Sequence, residues 1–258
     1  MTRPLPAQHL RVATYNIHSW QGMDGKRDPD RIFEAVASLD ADLLALQEVI
    51  SPQDTSAACS LREMASRQGY HVTYGHTLLR QDSHYGNALL SRKEPVRVLR
   101  HDLSFPEREP RGALETIFSY DGVTVKAVAT HLGLNPKERA YQMDRLFPLL
   151  AAKDADITLF LGDFNDWYAW SAVRRRIRGL FGPQPQPRTF PSIFPILALD
   201  KVHVRPTSRL EEVTPIRTDK TKKASDHLPL VATVNISHGA TSNSDQHADY
   251  SKKSNSLS

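Results

Sequence analysis

The stretch Ile157-Thr158-Leu159-Phe160-Leu161-Gly162-Asp163-Phe164-Asn165-Asp166 decides how this chain is read. Its opening residues form a short apolar run of strand formers, and the run stops at a glycine followed by an acid and an amide. A strand that ends this way delivers hard oxygen donors to the rim of a sheet, where a small divalent cation and a phosphate group can meet them. Gly-Asp and Asn-Asp pairs also make ordinary turns, so the motif alone leaves both readings open. What separates them is recurrence. The runs Arg11-Val12-Ala13-Thr14-Tyr15-Asn16, Asp42-Leu43-Leu44-Ala45-Leu46-Gln47-Glu48 and Val125-Lys126-Ala127-Val128-Ala129-Thr130-His131 close on an amide, a carboxylate and an imidazole. Further on, Ala198-Leu199-Asp200-Lys201-Val202-His203-Val204 sets an acid within a strand, and Ser225-Asp226-His227 precedes a strand expected from Leu228 to Val234.

The candidate cluster is therefore Asn16, Glu48, His131, Asp163, Asn165, Asp200, Asp226 and His227. Singly, each has a structural reading: a loop cap for Asn16, an exposed strand end for Glu48, a core histidine for His131, an N-cap for Asp226. Their repetition at strand ends, where loops collect functional groups on a rigid scaffold, favours one shared site.

In order along the chain, Tyr15-Asn16-Ile17, Leu46-Gln47-Glu48-Val49, Thr130-His131-Leu132, Gly162-Asp163-Phe164-Asn165 and Ser225-Asp226-His227 resemble the motifs of the endonuclease/exonuclease/phosphatase superfamily. Deoxyribonuclease I, exonuclease III, neutral sphingomyelinases and inositol polyphosphate 5-phosphatases belong to it. The resemblance spans residues 11 to 236 and is closest to the small bacterial members. It implies an α/β fold of four layers, two mainly antiparallel sheets packed face to face with helices outside. It also implies Glu48 as the leading metal ligand, helped by Asn16 and Asp226. Asp163 and Asn165 would orient the attacking water and the phosphate, and Asp200 would orient His227.

The chemistry expected of such a set follows from the substrate. A phosphodiester repels nucleophiles with its anionic oxygens and loses a poor leaving group, so its cleavage needs cationic stabilisation, a positioned water and a proton donor. Magnesium, with manganese as the alternative, supplies the first through oxygen ligands. Asp163 and Asn165, two residues apart at one strand end, are expected on the same side. A carboxylate beside His227 fixes its tautomer and raises its pKa. His131 is the candidate for phosphate stabilisation or leaving-group protonation. Asn87 and Arg111 are lesser candidates for holding a phosphate oxygen, with a structural turn as the alternative for each.

Helical spacing of apolar residues predicts a helix after Asp28-Pro29-Asp30, with an aspartate as cap and Pro29 near its start. Further helices are expected over Ser56–Gln68 and Pro136–Lys153. Strands are expected over His71–Tyr74, Gly86–Ser91, Val96–Leu103, Gly112–Tyr120 and Val123–His131, the last two joined by the hairpin pair Asp121-Gly122. Prolines at 183, 185, 187, 191 and 195 make the stretch from Gly182 to Pro195 an irregular loop, in which Arg188-Thr189-Phe190-Pro191 reads as a substrate wall or a rigid connector. The 258 residues suit one domain over 11–236, with an N-terminal extension over 1–10 and a disordered, polar tail over 237–258. One cysteine, Cys59, excludes an intrachain disulfide, and the expected setting is a reducing cytoplasm, peripheral to a membrane at most.

The charge balance is 33 basic against 29 acidic residues, or +4, which suits an anionic substrate. Basic runs at Arg174–Arg178 and Lys220–Lys223 adjoin site motifs; each reads as a solvated face or as a contact to substrate phosphates or an anionic membrane. Val49 stands where exonuclease III-like repair enzymes carry a lysine, and no long insertion suggests duplex binding. The favoured expectation is a phosphodiesterase of a phospholipid or other small phosphoester. A nuclease and a non-catalytic binding module on the same fold are the alternatives. No obligate protein partner is evident, and a monomer is expected.

Overall fold

Strands buried on both faces read as near-continuous apolar runs, and the computed structural model shows such strands at the centre of this chain. It describes residues 9–52, 61–80, 82–168 and 170–237. Residues 1–8 of the expected extension, Cys59, the start of the helix expected from Ser56 and the tail beyond Ser237 lie outside these residues. The first half comprises β1 (His9–Asn16), α1 (Pro29–Leu39), β2 (Leu43–Pro52), α2 (Leu61–Arg67), β3 (His71–Arg80), β4 (Ser83–Ser91), β5 (Arg97–Asp102) and β6 (Gly112–Tyr120). The second half comprises β7 (Val123–His131), α3 (Pro136–Ala151), β8 (Ile157–Asp163), α4 (Ala172–Phe181), β9 (Asp200–Arg205), β10 (Leu210–Pro215), α5 (Asp219–Ala224) and β11 (Leu230–Asn235).

The strands form a six-stranded sheet in the order β10-β11-β1-β2-β4-β3 and a five-stranded sheet in the order β5-β6-β7-β8-β9. Only β1/β2 and β7/β8 pair in parallel; the other neighbours are antiparallel. This is the expected four-layered sandwich. The period-two alternation of strands distributes the apolar side chains. Val12, Leu43, Ala45, Leu159, Leu161 and Val202 meet between the two sheets. Tyr15, Leu44 and Leu46 face the other way, onto Ile32 and Phe33 of α1 and Met64 of α2. On the far side, Val128 and Phe160 pack against Leu146 and Leu150 of α3 and Ile177 of α4.

Local chemistry sets the element ends. Asp28 Oδ1 accepts from the Arg31 amide at 3.0 Å and Pro29 opens α1, while Asn135 caps α3 in the same way ahead of Pro136. Asp121 and Gly122 both take positive φ, 48° and 91°, as a two-residue hairpin turn requires. Residues 182–199 hold no helix or strand, only the bridge between Phe190 and Leu197, in keeping with their prolines.

The structure corrects four expectations. β1 begins at His9, where the chain pairs with Asn235, so the expected extension ends two residues early. The basic run at 174–178 lies on α4 and that at 220–223 on α5, neither of which was expected as a helix. β10 was also missed, because its edge position leaves it without the apolar alternation of a buried strand. Glu48 does not end a strand: β2 runs on to Pro52, and Glu48 sits in a bulge with φ 57°.

Gly162 (φ 145°) lets the last turn of β8 lie against β7; a Cβ there would sit 1.8 Å from the Thr130 carbonyl oxygen. Gly162→Ala is expected to lower the unfolding free energy by at least about 2 kcal/mol in urea titrations, because the clash is with backbone that cannot yield. An unchanged midpoint would show that this close approach is not needed.

Candidate active site

Asp163 is the last residue of β8, and its side chain is the point on which distant segments converge. Its Oδ2 accepts from Asn16 Nδ2 at 3.0 Å and lies 3.5 Å from His131 Nε2 and 3.8 Å from His227 Nε2. These groups come from the end of β1, the end of β7 and the turn before β11. The parallel register His131↔Asp163 and the antiparallel register Asp163↔Asp200 bring three of the acids and imidazoles to one edge of the five-stranded sheet. Asn16 Nδ2 also donates to Glu48 Oε1 at 3.0 Å, so a single amide bridges acids from both sheets.

Asn165 joins the cluster by a route other than strand alternation. It lies past β8 with φ 49°, its backbone N–H donates to Asp163 Oδ1 at 3.0 Å, and its Nδ2 reaches the Leu132 carbonyl and His131. The left-handed turn, which asparagine tolerates better than most residues, replaces the expected shared strand face.

The two histidines are in opposite electrostatic states. His131 Nδ1 faces the Arg111 guanidinium at 3.0 Å, and its Nε2 faces the Asn165 amide nitrogen at 3.0 Å and Asp163 Oδ2 at 3.5 Å. Burial, and then Arg111, pushes its pKa down to about 3. At neutral pH it is a neutral imidazole, which disfavours leaving-group protonation by an imidazolium at this position. His227 Nδ1 meets Asp200 Oδ2 at 2.8 Å. Burial opposes its charge, but Asp200, Asp163 and Asp226 together overcome burial and lift its pKa to about 10.

Glu48 is buried enough for its pKa to rise, and the charges of Asp163 and Asp226 raise it further while the Asn16 hydrogen bond lowers it. Asp226 accepts from Ser225 Oγ at 3.3 Å and lies 3.6 Å from His18 Nδ1. A partly buried carboxylate whose pKa is raised by neighbouring acids is a natural site for a cation. The oxygen-rich set Glu48, Asn16 and Asp226 therefore fits a hard divalent ion: Asn16 Oδ1 accepts from the His18 amide but keeps a second lone pair. Asp163, Asp200 and His227 also offer ligand atoms within 4.8 Å of one another. Asp200 Oδ2 is already taken twice, by His227 and by Thr189 Oγ1 at 2.5 Å, while its Oδ1 is buried without a hydrogen-bond partner.

Arg111 is drawn into the site through His131 and pairs with Glu109 at 2.9 Å. Asn87 is not bonded to the cluster: its Nδ2 donates to the Gly112 carbonyl at 3.2 Å and ties one sheet to the other. Sequence reasoning missed Tyr85, whose pKa is raised by burial and then by Glu48 and Glu109 and lowered by Arg111. It read Thr189 and Phe190 only as part of a substrate wall or a rigid connector, whereas Thr189 anchors Asp200 and the Phe190 ring packs on His227 at 4.9 Å. The 188–191 segment thus supports the His227–Asp200 pair. Spacing gave no signal for either residue, since both act through contacts made only on folding.

A site of acids, amides and two imidazoles gathered at the strand ends of a double-sheet sandwich defines a class of phosphoester hydrolases. The chain belongs to the endonuclease/exonuclease/phosphatase family, whose family model matches residues 13–227. It is 28% identical over 246 residues to the uncharacterized protein YbhP of Escherichia coli K12, covering 88% of this chain and 96% of YbhP. Its fold is similar to that of an endonuclease/exonuclease/phosphatase from Beutenbergia cavernae, with 22% identity, a TM-score of 0.69 and coverage of 88% of this chain and 72% of that one. It is likewise similar to the catalytic domain of human Nocturnin with bound sulfate, with 19% identity, a TM-score of 0.68 and coverage of 89% and 94%.

Because the folded pKa of His227 lies above its ordinary value of 6.5, the folded state keeps a proton that the unfolded chain releases between 6.5 and about 10. The resulting stabilisation is full below pH 6.5 and is lost as pH rises toward 10. In chelator-treated protein, the urea midpoint is expected to fall more steeply between about pH 7 and 9 in the wild type than in Asp200→Asn. Parallel slopes would remove Asp200 as the holder of that proton.

Proposed function

We propose that the protein is a divalent-metal-dependent phosphodiesterase that hydrolyses its substrate by in-line attack of an activated water. The observation that carries this reading is the arrangement at Asp163 Oδ2, where an amide and two imidazoles from three separate segments face one carboxylate oxygen. Glu48, Asn16 and Asp226 would hold the ion. Magnesium or manganese bound there supplies Lewis-acid stabilisation of the phosphate oxygens.

The chain's own groups divide the remaining work. The Asp163 carboxylate is the acceptor that orients the attacking water and takes its proton. His227, kept protonated by Asp200, donates from Nε2 toward the phosphate. His131 stands as a neutral imidazole between Arg111 and Asn165, and Arg111 supplies a fixed cation for a phosphate oxygen. Asn165 holds His131 and Asp163 in register.

A phospholipid or a similar small phosphoester is the substrate class we favour. Leu134, Trp167, Tyr168, Trp170, Phe194 and Ile196 are exposed on loops that leave β7 and β8 or lead into β9 at the site edge. Large apolar side chains gathered on loops around one site suit a lipid surface better than a solvated groove. The basic helices α4 and α5 adjoin site motifs along the sequence and suit anionic headgroups. Those same basic residues keep nucleic acid as the competing reading. In this reading the protein works as a monomer at the surface of an anionic membrane.

Purified protein is expected to turn over bis-p-nitrophenyl phosphate only with added magnesium or manganese. Glu48→Gln and His227→Ala should each lose at least about a hundredfold in rate with unchanged circular dichroism. A folded protein inactive on every diester would favour a binding module. Release of phosphorylated headgroup from phospholipid vesicles, without nicking of supercoiled plasmid, is the expected substrate pattern; nicking without headgroup release would reverse the choice.

A further inference from the structure

Strand β9 alternates between two surroundings. Val202 and Val204 point into the core between the sheets, so Lys201 and His203 point the other way, toward α4. There they border a cavity of about 90 Å³, whose walls include Phe164, Asp166, Arg174, Arg178, Lys201 and His203. Asn16, Glu48, His131, Asp163 and His227 do not line it. This cavity is thus separate from the site around Asp163.

Its polar groups are unusually poor in partners. Lys201 is 6% exposed and forms no ion pair among the described residues; its ammonium donates to the Ala198 carbonyl. His203 is 5% exposed, lies between the rings of Phe164 and Phe181, and has a buried Nδ1 with no hydrogen-bond partner. Arg174 and Arg178, one turn apart on α4, form no ion pair among the described residues. Asp166, on the wall, is engaged elsewhere: Ser171 Oγ donates to it, and Arg139 lies 3.6 Å from its Oδ1.

Burying an ammonium without a salt-bridge partner is unfavourable, and Arg174 adds repulsion that the more distant charges of Asp200, Asp166 and Asp163 offset only in part. The strain is visible in both buried groups. Burial and then Arg174 hold the Lys201 pKa down to about 8, and burial, Lys201 and Arg174 hold His203 down to about 3. An anion in the cavity would relieve all of these at once. Its size admits a few water molecules or one small tetrahedral ion but not a nucleotide.

We propose that this cavity is a second anion site, which takes a small tetrahedral oxyanion of the inorganic phosphate class through Lys201, Arg174, Arg178 and the ring of His203. The site is independent of the proposed reaction and requires no metal.

The test uses full-length protein in chelator, with histidine ring nitrogens followed by NMR while sodium phosphate replaces sodium chloride at constant ionic strength. Saturable movement of the His203 resonances, with a rise in Tm, is expected. Lys201→Met should weaken that response at least about tenfold, as loss of a buried charge-assisted contact requires. Arg178→Gln, at an exposed position that leaves the core intact, should weaken it by at least about threefold and keeps the test decisive if the lysine variant does not fold. Adenosine monophosphate should leave His203 unmoved. The proposal is overturned if His203 does not respond in the wild type, if both variants respond as the wild type does, or if only His131 and His227 move.

Discussion

The contact between Asp163 Oδ2 and the Asn16 amide is the constraint on which the rest of the structure depends. It joins the two sheets at their site edge, and a buried carboxylate tolerates such a position only when donors surround it. To supply them, β1 and β8 must end level with each other although 147 positions separate the partners. The apolar core between the sheets holds those strand ends at the required separation. Gly162 then lets the last residue pair of β7 and β8 close up, which sets His131 beside Asp163.

Around that carboxylate, charge is divided rather than shared. Arg111 faces one imidazole and Asp200 the other, so residues of the same type and similar burial take opposite protonation states. Burial favours the neutral form of both rings; Arg111 adds to it at His131, while the carboxylates around His227 outweigh it. Thr189 and Phe190 extend the support outward, fixing Asp200 and His227 from the proline-rich loop.

Much of this was legible in the sequence, for identifiable reasons. The strands of the central core announce themselves because both faces are apolar, and their ends are marked by the polar residues that form the site. Asp28, Asn135 and the Asp121-Gly122 turn carry their signals locally. The illegible parts lack such local signals. α4 is so rich in arginine that its apolar stripe of Val173, Ile177 and Phe181 was hidden in a charge run. β10 is a half-exposed edge. Tyr85, Thr189 and the cavity beneath α4 exist only through contacts between distant segments, and Asn87 became a strut between sheets because its amide met the Gly112 carbonyl.

The bulge at Glu48 has a bearing on how freely this architecture can diversify. An acid at the tip of a strand inherits every change in the loop that follows it. Glu48 is instead clamped on both sides, since β2 pairs with β4 from Leu43 to Leu46 and again from Val49 to Pro52. Insertions beyond Pro52 would leave its carboxylate in place. The cation-binding corner is thereby insulated from the part of the surface that can be remodelled for new substrates.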